Sequence, residues 1–266
     1  MQHPIGFIGY GEAGRAFAQS ITAPKIAYDL RPIGGVTLDA MASSRMIFCL
    51  VTADQALAAA QTAAPFLAPD TLWLDGNSCS PATKRQAAAV IDATGARYVD
   101  MAIMAPVQPR GLATPVLISG PHAQAAPKMQ ALGMQVTQVG DTVGAASSIK
   151  MLRSVIIKGM ESLTAEAFLA ARRAGVADAV IDSLAKSDPG MDWLARGSYN
   201  LERMLVHGTR RAAEMAEVAA TLRDLGLPDR MSMAAMAWQA QLAALHLNPG
   251  PDDFARRADA ILAALI

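Results

Sequence analysis

The chain has 266 residues, 52% hydrophobic and 17% charged, with 23 basic and 23 acidic side chains and therefore no formal net charge. That length and apolar share suit one large or two moderate cores, and a balanced charge without a Lys/Arg run or interleaved aromatics excludes a nucleic-acid partner from the expectations. No apolar run nears the roughly 18 residues of a membrane span, the first strand leaves no room for a signal peptide, and the isolated Cys49 and Cys79 form neither a disulfide framework nor a metal-ligand spacing, so a cytoplasmic protein with reduced thiols, no bound metal and no membrane partner is expected.

Residues 5–14, IGFIGYGEAG, carry an apolar run into Gly9, Gly11 and Gly14. This is the G-x-G-x-x-G spacing of a dinucleotide-binding turn. Gly9 permits the tight turn out of a strand, Gly11 lets backbone approach a pyrophosphate, and Gly14 lets the following helix pack closely. Tyr10, Glu12 and Ala13 complete the turn, and the free N–H groups of a helix N-terminus favour phosphate there. A plain strand-to-helix turn is the simpler alternative. The context favours the ligand: an alanine-rich helix, a break at residues 22–24, and a strand over residues 25–29 that ends in Asp29. An acid at that place accepts hydrogen bonds from an adenosine ribose and repels a 2′-phosphate, which favours NAD, while Arg31 keeps NADP open.

Strand-like runs recur at MIFCLV (46–51), TLWLD (71–75), RYVDMAI (97–103), VLISG (116–120) and QVTQVG (135–140), most of them separated by alanine-rich helical stretches. The alternation predicts an α/β fold, a Rossmann-type, mostly parallel sheet with ligands at the carboxyl ends of its strands. After Gly140 only helical periodicity remains, with Ile149, Leu152, Ile156, Met160 and Leu163 as one apolar stripe and Met215, Ala219, Leu222 and Leu225 as another. A dinucleotide-binding domain over 1–142 and an all-helical domain over 143–266 follow. Trp193 and Trp238 are expected to pack, and the Met-rich segment 231–236 to fill core or a subunit interface. Ser147, Lys150, Ser154 and Lys158, spaced three, four and four apart, share the face opposite the first stripe. That face looks either at solvent or into a cleft.

In order along the chain, GFIGYGEAG, DGNSCSP (75–81), VDMAIMAPV (99–107) and the run from Gly140 to Lys150 resemble the β-hydroxyacid dehydrogenases. KMLRS and RRAAEMAEV are similar to a branch of phosphogluconate-dehydrogenase-like NAD-binding proteins with a C-terminal domain of unknown function. The resemblance implies a two-domain, NAD(P)-dependent enzyme, a homodimer by analogy. It would exchange a hydride between nicotinamide and an alcohol β to a carboxylate, or the matching carbonyl. Lys150 becomes the proton-transfer residue, a task suited to a lysine whose pKa burial or nearby cations depress. The resemblance sets Val51 and Thr52 beside the adenosine ribose, Thr52 being alternatively a helix cap. It sets Asn77 and Ser78 beneath the nicotinamide or against substrate, with Ser80 before Pro81 as a helix cap.

Two departures from the family pattern bear on substrate. Ser154 stands where an asparagine usually follows the lysine by four residues, so the reach is shorter. MAPVQPRG (104–111) stands where the family has an APVSGG-like loop whose serine and backbone N–H groups bind the substrate carboxylate. Met104, Pro106 and Val107 would line the substrate with Ser147 and Ser154, and Gln108, Arg110 or backbone donors would take the carboxylate. Arg210 or Arg211 falls where the family has a lysine near the cofactor, and Arg153 and Lys158 are further candidate cations. His207 and His246 lack metal-ligand spacing and read as structural. Imine reduction and a non-catalytic dinucleotide sensor remain as alternatives, although related imine reductases commonly lack the lysine found at position 150.

Overall fold

The computed structural model describes residues 3–31 and 34–265. Among them, β1 (Ile5–Ile8), β2 (Lys25–Tyr28), β3 (Met46–Cys49), β4 (Leu72–Asp75), β5 (Arg97–Ile103), β6 (Val116–Ser119) and β7 (Val136–Gln138) form one sheet in the order β2-β1-β3-β4-β5-β6-β7. Every pair is parallel except β5 with β6. The helices α1 (Glu12–Ser20), α2 (Ala56–Ala63), α3 (Pro81–Asp92) and α4 (Ala126–Gln130) lie between strands. A strand followed by a helix returns by a crossover and pairs parallel. Between β5 and β6 the loop has only a 3-10 turn at Gly111–Ala113, and the chain folds straight back.

The sheet is apolar on both faces, as a covered parallel sheet must be. Alternate residues go to opposite sides. Phe7, Phe48, Leu74 and Val99 join Phe17 of α1 on one face, and Ile8, Ile47, Trp73 and Tyr98 join Ile91 of α3 on the other. This is the mostly parallel, Rossmann-like architecture expected from the alternating runs, followed by an all-helical region: α5 (Ala145–Arg173), α6 (Ala177–Ser187), α7 (Trp193–Asp224), α8 (Arg230–Ala244) and α9 (Phe254–Ala264). The chain divides into two compact units, Met1–Leu152 and Arg153–Ile266. The division falls inside α5, ten residues beyond the 142/143 boundary suggested by where the strands stop, because one unbroken helix feeds both units.

In the second unit Phe168, Leu169, Leu201, Met204, Leu242 and Ile261 build the core, with Trp193 and Trp238 packed against it. The burial of α5 is the reverse of a simple amphipathic reading. Ser154, Lys158, Glu161 and Ser162 are buried, whereas Ile149, Leu152, Ile156 and Leu163 are exposed. The polar face can go inside because it is paired. Lys158 lies 2.7 Å from Glu214 of α7, and Glu161 accepts from Arg211 of α7 and, at 2.8 Å, from Gln239 of α8. Met231 and Met233 are exposed, so they do not fill the core. No helix among the described residues is long and apolar enough to cross a membrane.

Candidate functional site

Strand pairing aligns Tyr28, Ile8, Cys49, Asp75, Asp100 and Ser119 in one row across the sheet. The turns that follow β1, β3 and β4 therefore share an edge. From β1 the chain goes to β2 on one side and then to β3 on the other, and such a reversal opens a crevice at the carboxyl ends of β1 and β3.

The glycine turn occupies that crevice. Gly9 has φ +85°, and a Cβ there would come within 2.5 Å of the Leu50 carbonyl oxygen. A Cβ on Gly14 would strike the carbonyl oxygen of Gly9. Gly11 is different, for nothing lies within 4 Å of the position its Cβ would take. The fold thus requires Gly9 and Gly14, while Gly11 borders the open space that an approaching pyrophosphate needs. Among the described residues no side chain caps the N-terminus of α1, which leaves its N–H groups available to an anion. Asp29 follows β2 directly and ties down the turn: Oδ2 accepts from Tyr10 N at 2.7 Å and Oδ1 from Arg31 N at 3.0 Å. The exposed Arg15 donates through Nε to the Tyr10 carbonyl at 3.0 Å. Its position in the first turn after the glycine motif was the available signal for this cation. These residues fit a dinucleotide. Val51 and Thr52 continue from β3 at the same edge. Thr52 makes no capping bond; its side chain, after that of Gln55, holds the Asp54 carboxyl below its usual value.

The turn after β4 is held by a buried ionic cluster. Lys84 of α3 is completely buried, with Nζ 2.6 Å from the Asp75 carbonyl, 2.9 Å from Asp75 Oδ1 and 3.5 Å from Asp100 Oδ1. Burial, the largest single effect, opposes its charge, but Asp75, Cys79 and Asp100 together outweigh that penalty and hold the ammonium above its ordinary value. Tyr98 donates to Asp75 Oδ2 at 2.6 Å, and burial, reinforced by Asp75, pushes its phenol well up. Burial also pushes the Cys49 thiol up to about 12, so it is an inert thiol rather than a nucleophile. Asn77 donates to Asp75 Oδ1 at 2.7 Å and to Cys49 Sγ at 3.3 Å, which makes it a strut of the turn. Ser80 accepts from Thr83 N at 3.2 Å and caps α3. Between them only Ser78 is half-buried.

Lys150 meets Ser78. Its Nζ donates to Ser78 Oγ at 2.6 Å, joining α5 to the β4 turn within the first unit. The start of α5 is anchored by Asp100, whose Oδ2 lies 3.1 Å from Gly144 N, Ser147 N, Ser147 Oγ and Ser119 Oγ. A carboxylate at a helix N-terminus satisfies free N–H groups and complements the helix dipole. Sequence reasoning missed Lys84, Asp75 and Asp100. Carboxylates within the apolar runs LWLD and YVD were the signal that could have found them.

The remaining candidates divide. Ser147 is 1% exposed, and its hydroxyl faces Asp100 rather than a ligand. Val107 is 6% exposed within the core around Phe7, so its side chain packs. Met104 is half-buried, and Pro106, Gln108 and Arg110 are exposed. The loop lies against α1, where a Cβ on Gly111 would meet Ser20 Oγ at 2.9 Å. Ser154 is buried in the second unit and accepts from Lys158 at 3.3 Å. Arg210 and Arg211 pair with Glu214 and Glu161. His207 is driven down to about 4 by burial and by Arg203, Arg210 and Arg211. No cluster of side chains suited to a metal occurs among the described residues.

Residues 32–140 match the NAD binding domain of 6-phosphogluconate dehydrogenase, and residues 171–242 match the Domain of unknown function (DUF1932). A conserved hypothetical protein from Sinorhizobium meliloti 1021 is 36% identical, with 99% of this chain and 97% of that one covered at a TM-score of 0.77. The conserved protein MTH1747, of unknown function and described as similar in structure to 3-hydroxyacid dehydrogenases, is 28% identical over 91% of this chain and 98% of its own, at 0.70. The 3-hydroxyisobutyrate dehydrogenase of Mycobacterium tuberculosis has the same fold at 0.73, with 16% identity over 97% and 99% of the two chains. The chain belongs to the same family as the Sinorhizobium meliloti protein, and it joins an NAD-binding domain of the 6-phosphogluconate dehydrogenase type to this C-terminal domain of unknown function.

Proposed function

We propose that the protein is an NAD(P)-dependent dehydrogenase or reductase acting on a small β-hydroxy acid, a related alcohol, or the matching carbonyl. The observation that carries this reading is the 2.6 Å bond from Lys150 to Ser78, on the sheet edge that also bears the glycine turn. A bound nicotinamide supplies the hydride acceptor or donor. Lys150 takes the hydroxyl proton in one direction and returns it in the other, with Ser78 orienting the amine and contacting the substrate oxygen. Asp29, fixed at the end of β2, supports NAD over NADP. A carboxylate on the substrate would find Arg110, Gln108 or backbone donors of the loop at 104–111. A homodimer formed through the exposed stripe of α5 completes the reading.

The test is a fluorescence titration with NADH and NADPH, followed by turnover of a panel of β-hydroxy acids and semialdehydes. Lys150→Ala is expected to lose at least about 100-fold in turnover while keeping its affinity for NADH. Dinucleotide binding without turnover across the panel would support a sensor instead, and absence of binding would overturn the reading.

A further inference from the structure

Lys84 has no place in the chemistry just described, yet among the described residues it is the cation held between both buried carboxylates on the sheet row. Its Nζ lies 2.9 Å from Asp75 Oδ1 and 3.5 Å from Asp100 Oδ1, and it also contacts the Asp75 carbonyl at 2.6 Å and the Met101 carbonyl at 3.4 Å. The two carboxylates serve different arms of the site. Asp75 organises the turn that presents Ser78, accepting the Asn77 backbone N–H at 3.0 Å and its side-chain N–H at 2.7 Å. Asp100 holds the first turn of α5 through Gly144 and Ser147, three residues ahead of Lys150. Among the described residues Asp100 Oδ1 has no hydrogen-bond partner, so the lysine is its source of compensation on that side.

We propose that Lys84 is a positioning residue that holds Ser78 and Lys150 in register by joining the carboxylates beneath both. The role for proton transfer rests on the dehydrogenase reading above; the mechanical link does not. Two buried carboxylates on adjacent strands repel one another, and a shared ammonium removes that repulsion while drawing the ends of β4 and β5 together. The β4 turn and the α5 terminus then move as one body. An uncharged residue of the same length fills the space but leaves both arms untethered.

Hydrogen exchange read by mass spectrometry on the full chain tests the link without any substrate. In Lys84→Met, amide exchange is expected to rise at least about tenfold in both segments, 76–80 and 144–151, while the glycine turn at 9–14 stays as in the wild type. In Asp100→Asn, which keeps an oxygen at the helix terminus, the rise is expected at 144–151 alone. The pH profile of Lys150 acetylation gives a second readout, normalised to the exposed Lys128 and Lys186. Loss of the Asp100 charge is expected to lower its midpoint by about half a unit, since a departing anion disfavours the ammonium. A folded Lys84→Met protein in which neither segment, or only one, exchanges faster would overturn the proposal. If that variant does not fold, Asp100→Asn decides: exchange and pH profile both unmoved would overturn it. A shift in these readouts in a protein that turns over no hydroxy acid would keep the link and remove the dehydrogenase reading.

Discussion

The three glycines of the nucleotide turn differ in what a methyl group would meet, and that difference is measurable. Gly9 combines φ +85° with a Leu50 carbonyl 2.5 Å from the missing Cβ, so Gly9→Ala is expected to cost about 1–3 kcal/mol of stability and to abolish NADH binding together. Gly11 has a negative φ, −76°, and open space, so Gly11→Ala is expected to leave the thermal unfolding midpoint within a few degrees of wild type, with a change of roughly 0.5 kcal/mol or less, but to weaken NADH by tenfold or more. Equal effects on stability at the two positions would refute this division. His207 offers a test at acid pH. Its folded value is depressed from 6.5 to about 4, so the unfolded chain binds the proton more readily, and the stability it contributes is complete above 6.5 and is lost as pH falls toward about 4. His207→Gln is expected to flatten the unfolding midpoint against pH in that window, relative to wild type; parallel profiles would show that the histidine does not titrate this way.

At the scale of elements, α5 shows what periodicity conveys and what it withholds. Spacing identified an apolar stripe and an opposite polar face, but a period says nothing about which face is covered. The charges of Lys158 and Glu161 find partners on α7 and α8, and that pairing, invisible in a local window, turns the polar face inward. The stripe is left outside, with Ile156 68% exposed. This apolar exposure is the surface on which the proposed dimer rests. Analytical ultracentrifugation is expected to show a dimer for the wild type and a monomer for Ile156→Glu with unchanged circular dichroism. A wild-type monomer would remove the dimer from the proposal. Strands were more legible than helices. Each is a short apolar run ended by a turn, and the RYVDMAI reading coincides with β5, Arg97–Ile103. The candidate site was legible where local chemistry sufficed, at the glycine turn and at Asp29. Lys84 was not, because a lysine in PATKRQ looks like any solvated helix residue until the sheet brings the carboxylates of two adjacent strands beneath it.

For the whole molecule, the zero formal charge predicts weak long-range steering of an anionic dinucleotide, so binding depends on the local turn rather than on the protein's overall field. NADH affinity is accordingly expected to change less than about threefold between 50 and 300 mM salt, whereas a steep decline would point to a broad cationic surface. Ligand linkage supplies a second test: NADH at a hundred times its Kd is expected to raise the unfolding free energy by about 2.7 kcal/mol. The buried ammonium between Asp75 and Asp100 also has a consequence for descent. Removing the lysine of such a group leaves two uncompensated carboxylates in the interior, at a penalty of about 3–5 kcal/mol, whereas exchanging the group for apolar residues together is tolerated. Positions 75, 84 and 100 are therefore expected to change together. Across relatives, a lineage that has lost the lysine is expected to have lost both carboxylates with it.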